Sequence, residues 1–387
     1  MNLIKSVVEN HDVLRSWRHK LHQNPEIAYQ EQETSDFVAT TLESFGIEVH
    51  RGFAGTGLVG VIKGNIKGSR AIGLRADMDA LPLTEQTDLP YASRNEGKMH
   101  ACGHDGHTTM LLGAAQHLAR TRDFSGTVYV IFQPAEEGGN GGARSMINDG
   151  FFETFKMDSV WGIHNWPGLE VGQTVVHTGA AMAGADIFIL TIDGKGGHAA
   201  LPHQSRDPIV AAGMVIVALQ TLTSRRLDPF DQTVISLTRL DAGSAFNVIP
   251  AVASVGGTLR TMKSTTRELM LAEIEQVALQ AASTLGCRVS MEIRQGYPPT
   301  VNHKSEALFA RDLIKGFLGD EAVNTSLTPA MAAEDFSFMM QEKPGAYIWL
   351  GAGKESEFLH SPHFDFNDEL LPIGASLWVN LAHAKLS

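Results

Sequence analysis

Residues 70–77 read RAIGLRAD, residues 100–107 HACGHDGH, residues 108–119 TTMLLGAAQHLA and residues 126–133 GTVYVIFQ, and this order decides the fold. A β-rich run, a histidine-rich turn, a helical run and a second β-rich run form one strand–helix–strand unit. Outward from it, GLVGVIKG (57–64) comes before, while a helical stretch near GARSMIND (142–149) and the strand-like SVWGIHN (159–165) come after. The alternation predicts an α/β domain with a largely parallel central sheet flanked by helices, in which some early runs pair as hairpins. Two helices are expected ahead of it, at about Leu3–His22 and Thr34–Ser44. Pro25 separates them, and Gly46 stops the second.

The pattern changes near residue 180. The small-residue stretch TGAAMAGA (178–185) precedes DIFILTIDG (186–194), followed by a helix over Asp207–Ser224 and the strands QTVISLTRL (232–240) and ASVGGTLRTM (253–262). A helix over Thr266–Leu285, with a capping box from Thr265 to Glu268, and the strand RVSMEIRQG (288–296) close the segment. Strand–helix–strand–strand–helix–strand is the ferredoxin-like order, so residues 181–296 are expected as an inserted α+β domain, and residues 1–180 with 297–387 as the other. Beyond Tyr297-Pro298-Pro299 come a helix, the apolar strand GAYIWLGAG (345–353) and a closing helix around Leu370–Ala384.

The 387 residues hold 31 Lys and Arg against 43 Asp and Glu, a net charge of −12, with 43% hydrophobic residues. That composition excludes a disordered chain, and without a basic block no nucleic-acid partner is expected. The sequence offers no run of about 18 consecutive apolar residues, so no membrane partner is expected either. Two cysteines, Cys102 and Cys287, exclude a disulfide framework. The first 20 residues carry charges throughout and do not read as a signal peptide, which makes the cytoplasm the expected location.

Chemistry concentrates in four places. HACGHDGH sets Cys102 among three histidines and an aspartate just before a helix, and thiolate, imidazole and carboxylate together are transition-metal ligands; Cys102 and His104 are preferred over His100 and His107. Glu136 and Glu137, in QPAEEGG (133–139), follow an apolar strand, at the sheet edge where open α/β folds bind ligands. One carboxylate is expected on metal and the other facing a water. His164 ends the strand-like SVWGIHN, and His360 lies in LHSPHFDF beyond GAYIWLGAG. Asp77 and Asp79, in LRADMDALP (74–82), sit at another strand end; both are candidate ligands, and the preferred role for Asp77 is to fix the tautomer of a ligating histidine.

Together these stretches resemble the M20 metallopeptidase family, specifically its amidohydrolase branch of hippurate hydrolases, N-acyl-L-amino acid amidohydrolases and plant auxin-conjugate hydrolases. Besides those quoted, the resemblance rests on LHQNPE (21–26), FQPAEEG (132–138), GIHNWP (162–167), GKGGHAALPH (194–203), FNVIP (246–250), GTLRT (257–261), EDF (334–336) and HSPHFDF (360–366). It implies two divalent metal ions held by Cys102, His104, Glu137, His164 and His360, with Glu136 as general base. Zinc suits these ligands, as do manganese, cobalt and nickel. Where the wider family has a histidine two residues before Asp77, this sequence has Arg75, as the cysteine-containing branch does. The resemblance also implies that His198 contacts the scissile carbonyl, that Arg260 and Asn247 bind a substrate carboxylate, and that the inserted domain is a lid that joins copies into a homodimer or higher homo-oligomer. The expected reaction is hydrolysis of an N-acyl amino acid by a hydroxide bridging the two metals. A dipeptidase or aminopeptidase on the same metals, and a non-catalytic metal-binding protein, are the alternatives.

Overall fold

The computed structural model describes residues 1–139 and 141–387. Contacts divide the chain into one unit of Met1–Ala181, Val301–Thr328 and Asp335–Ser387 and another of Met182–Thr300 and Pro329–Glu334.

Six strands come first: β1 (Glu48–Phe53), β2 (Gly57–Lys63), β3 (Ile66–Asp77), β4 (Ser125–Gln133), β5 (Ser159–Pro167) and β6 (Thr174–Val175). After β7 (Ala180–Met182) the chain runs through β8 (Gly184–Asp193), β9 (Gly197–His198), β10 (Thr233–Ala242), β11 (Val248–Ile249), β12 (Val252–Thr261) and β13 (Arg288–Gln295). The last two strands are β14 (Thr300–Val301) and β15 (Gly345–Gly353).

The first unit is built on a seven-stranded sheet in the order β1-β2-β4-β3-β5-β15-β6. Its centre, β4-β3-β5-β15, is parallel, while β1 and β2 form an antiparallel hairpin at one edge and β6 pairs antiparallel at the other. Strands covered on both faces must be apolar along their whole length rather than alternately. Accordingly β15 is buried from Gly345 to Ala352 and β5 from Ser159 to Asn165. The helices His104–Thr121 and Leu370–Leu386 pack together, and Trp161, Trp349 and Trp378 lie fully inside. Parallel strands all end on one edge of their sheet, which brings the residues after β3, β4, β5 and β15 to the same side.

The second unit carries a four-stranded antiparallel sheet ordered β10-β12-β8-β13. Counted from β8, that is the ferredoxin-like order, with the helices Pro208–Leu219 and Ser264–Ser283 supplying Ala211, Val215, Leu219, Met270 and Ile274 to its core. The stretch Pro208–Arg225 has the length and apolar composition of a membrane-crossing helix, and a third of it is buried in this unit. Asp207 caps its start by accepting from the Ile209 and Val210 N–H groups.

Several local expectations are corrected. The N-terminal helix is two, Lys5–Glu9 and His11–Gln23, broken at Asn10, whose φ of −95° and ψ of 6° leave the helical range. The capping box at Thr265 does not form; the helix begins at Ser264 behind Lys263, with no side-chain cap. Pro329–Glu334 was not expected beside the inserted segment, yet the Ala183 N–H donates to the carbonyls of Ala330 and Ala332.

Candidate metal centre

His104 opens its helix behind Gly103, whose φ of 90° and close approach to Asn165 exclude a side chain: a Cβ there would lie 2.3 Å from Asn165 Oδ1. The histidine is buried, and its Nδ1–H donates to the Asp79 carbonyl at 2.8 Å, which leaves Nε2 as the free lone pair. That atom is buried and makes no hydrogen bond. On β5, His164 is oriented the same way: Nδ1–H donates to the Asn165 carbonyl at 2.7 Å and Nε2 lies 3.4 Å from Cys102 Sγ. From the loop after β15 comes His360, in a left-handed conformation at φ 66°, with its N–H on the Ala101 carbonyl and Nε2 at 3.1 Å from Glu137 Oε1.

Ligand atoms of Cys102, His104 and His164 lie within 4.8 Å of one another, as do those of Cys102, Glu137 and His360, and those of His104, Glu136 and Glu137. The three sets share members, so all six side chains form one continuous cluster. Two of its groups face a cost without a cation. Burial, with the Glu137 carboxylate beside it, pushes the Cys102 thiol up to about 12. Burial and the neighbouring His107 hold His164 well below the ordinary histidine range, so it is a neutral imidazole. Burial opposes the charge on Glu137, but the hydrogen bond from His360 prevails and keeps it below its usual value. A buried imidazole nitrogen with no hydrogen bond among the described residues, beside a thiol, two imidazoles and two carboxylates, is the donor set of a borderline transition metal, and the residues fit two such ions.

Around the cluster stands a layer of fully buried polar groups. Asp77 Oδ1 accepts from His107 Nδ1 at 2.7 Å and Asp77 Oδ2 from Arg75 Nη1 at 2.7 Å. Burial opposes its charge, but His104, Arg75 and His107 together hold Asp77 well below the usual carboxylate range. Arg75 also donates to Gln133 Oε1 and Asp335 Oδ1. His107 is engaged on both sides, by Asp77 and by the Asn165 main chain, and so stands behind the cluster. His100 is buried too, and burial lowers it to about 3. The expectation that Asp79 is a ligand is corrected: its carboxylate accepts the N–H groups of Glu136 and Glu137 at 3.0 and 2.9 Å.

The sequence reading gave no role to Gln133, Asn165, Asp335, Glu31 or His22, and counted Asp105 only as the carboxylate of HACGHDGH. His22 and Asp105 form a buried pair at 2.8 Å, next to Arg18. Only the fold brings these groups behind the cluster; His22 lies in LHQNPE and Asp105 in HACGHDGH, whereas Glu31 lies outside every quoted stretch.

The remaining expected residues lie in the second unit. His198 pairs with Val248 in a two-stranded ribbon, and the Ala199 N–H donates to the Asn247 carbonyl, so His198 and Asn247 are neighbours. Arg260 is not with them. It lies near the end of β12, eight residues and roughly 26 Å of strand from Val252, where the ribbon joins.

The cluster of a buried cysteine, three histidines and paired glutamates at the ends of parallel strands is accompanied by a direct match: residues 73–384 fit the model of peptidase family M20/M25/M40. The chain belongs to this family. Among M20 relatives, it is 41% identical to the hippurate hydrolase of Campylobacter jejuni over 99% of both chains. It is 38% identical to an N-acetyl-L-cysteine deacetylase of Bacillus subtilis, covering 94% of this chain and 85% of that one. A solved dinuclear metal-binding M20 peptidase from Bacillus subtilis superposes with a TM-score of 0.87 at 34% identity, over 98% of this chain and 99% of that one. This M20 chain is therefore a hydrolase of the amidohydrolase branch.

Proposed function

We propose that the protein hydrolyses the amide bond of N-acyl amino acids, releasing a carboxylate and a free amino acid. The observation that carries this is the continuous cluster of Cys102, His104, Glu136, Glu137, His164 and His360, supported by the amide-hydrolysing relatives. Cys102, His104, Glu137, His164 and His360 would hold two divalent ions, zinc, manganese, cobalt or nickel. Such ions supply Lewis acidity that polarises a carbonyl and makes water acidic enough to attack at neutral pH. Glu136, buried at the cluster with its main chain fixed by Asp79, accepts the proton of the attacking water and returns it to the leaving nitrogen. The Asp79 and Asn165 carbonyls hold His104 and His164 in the tautomers that turn Nε2 toward the cluster; the expected role of Asp77 is corrected, because it accepts from His107, which stands behind the ligands.

We assign three roles to the second unit. The Ala200 N–H donates to His198 Nδ1 at 3.0 Å, so the ring proton sits on the exposed Nε2, ready to donate to a developing oxyanion. Arg260 is half-buried, and no ion pair or side-chain hydrogen bond to it occurs among the described residues; burial lowers its pKa. An unpaired guanidinium of this kind suits the carboxylate of an amino acid, with Asn247 as a further polar contact. Because His198 and Asn247 lie far along the sheet from Arg260, one small substrate reaches all three when two copies contribute. We place that association on the second unit as a homodimer, supported by the exposed Ile209, Val210, Met214 and Val217 of Pro208–Leu219.

The test is amino-acid release from a panel of N-acyl amino acids and matched free dipeptides, on metal-stripped protein refilled with Zn²⁺, Mn²⁺, Co²⁺ or Ni²⁺. Metal-dependent cleavage of the acylated substrates is expected. A preference for dipeptides would make the protein a peptidase, and a metal-loaded protein silent on the whole panel would overturn the reading.

A further inference from the structure

Three consecutive main-chain N–H groups after β4 are gripped by two buried carboxylates. Ala135 donates to Glu31 Oε1 at 2.9 Å, and Glu136 and Glu137 donate to the two oxygens of Asp79. Glu31 comes from the turn ahead of the helix Gln32–Ser44 and has no exposed surface. Its carboxylate also accepts the Tyr29 N–H at 3.0 Å and the Thr56 hydroxyl at 2.7 Å. All three donors are neutral, so no cation offsets the burial of this charge. Burial, reinforced by Asp79, pushes Glu31 up to about 7.

Ala135 has φ 55°, a left-handed backbone that residues with a Cβ avoid. It must hold there, because the next two residues are the paired glutamates and their direction follows from this turn. Its carbonyl is tied as well, accepting the Gly142 N–H at 3.0 Å. Glycine is obligatory at that contact: a Cβ on Gly142 would stand 1.7 Å from the Pro134 carbonyl oxygen. The turn is thus clamped by its carbonyl from one side and by Glu31 from the other.

We propose that Glu31 is a positioning residue that holds Ala135 in its left-handed turn and so aims Glu136 and Glu137 into the ligand cluster. The role rests on the assignment of those two carboxylates above. Glu31 acts through reach and hydrogen-bond acceptance rather than through charge. A glutamine there keeps one carbonyl oxygen for the Tyr29 and Ala135 N–H groups, and its amide donates to Thr56 once that hydroxyl turns. An aspartate keeps the charge but falls one methylene short of Ala135.

The experiment compares Glu31→Gln, Glu31→Asp and the double variant Glu31→Asp/Ala135→Gly as full-length, metal-loaded enzymes. Three readouts are taken: kcat and KM on the best N-acyl amino acid, Zn²⁺ affinity of the metal-stripped protein by calorimetry, and hydrogen exchange of the 135–137 amides. Glu31→Asp is expected to lose about 10- to 100-fold in kcat and in Zn²⁺ affinity, the range found when groups that orient metal ligands are removed, with KM little changed and faster exchange at Ala135. Glu31→Gln is expected to stay within about threefold of wild type on all three, since its acceptor remains. Ala135→Gly is expected to return a large part of the loss in Glu31→Asp, because glycine adopts the left-handed turn without help. The idea is overturned if Glu31→Asp behaves as wild type, if Glu31→Gln falls as far as Glu31→Asp, or if the glycine restores nothing. A wild-type enzyme silent on acylated substrates would sink the proposed reaction, while Zn²⁺ affinity and exchange would still decide the role of Glu31.

Discussion

At the residue scale, the paired glutamates are separable by experiment. Glu136→Gln keeps size and hydrogen bonding but cannot take a proton. It is expected to lower kcat by about 10²- to 10⁴-fold, with metal content and melting temperature unchanged. Glu137→Gln is expected instead to lower metal content, read by elemental analysis after dialysis. Retention of activity in Glu136→Gln would remove the general base from the scheme. Glu31 gives a second prediction, in stability. Its folded pKa of about 7 lies above the ordinary glutamate value of 4.5, so its contribution is fully present below about pH 4.5 and is lost as pH rises through 7. Glu31→Gln has no such loss. The urea midpoint of this variant, relative to wild type, should therefore be higher at pH 8 than at pH 5, and an unchanging difference would contradict the assignment.

At the element scale, the ligands were legible because each stands at the end of a local pattern. Cys102 and His104 stand at the start of a helix, Glu137 and His360 follow apolar strands, and His164 lies near the end of one; parallel topology then brings such ends to one edge. What surrounds them was not legible. Glu31 lies in QEQET, where a buried carboxylate and a solvated helix start read alike, and the left-handed Ala135 that needs it carries no glycine to announce it. Asp79 was a candidate ligand because it stands, with Asp77, at a strand end; instead it grips the next loop. The second unit's strand and helix order was plain from hydrophobic runs, but Pro329–Glu334 was not, since six residues hold no period. Gly103 is where one element depends on one atom. Gly103→Ala would force a Cβ against Asn165 at a φ of 90°, with an expected loss of about 1–3 kcal/mol, checked by urea denaturation, together with weaker metal binding.

At the scale of the whole molecule, buried charge behind the cluster makes stability depend on pH. Burial opposes charging of His22, but its hydrogen bonds to Asp105 and Glu85 prevail and push it up to about 9. The sign follows from the raised value: this contribution is complete below about pH 6.5 and is lost as pH rises through 9. His22→Gln should flatten the fall of the urea midpoint between those limits, and an identical slope in wild type and variant would refute the linkage.

The pairing of β5 with β15 has a further consequence, for synthesis on the ribosome. Residues 168–344, with the whole of the second unit among them, separate these neighbours, so the central sheet stays open along β5 until Gly345 has emerged. At roughly 5–20 residues per second, the apolar strand that carries His164 waits on the order of 9–35 s for its partner. A nascent chain arrested before residue 345 should therefore be cut by protease near residues 159–167 while its second unit resists. During that interval the edge is the chain's point of exposure to chaperones and to aggregation, and the strand that closes it is also the one that delivers the loop bearing His360.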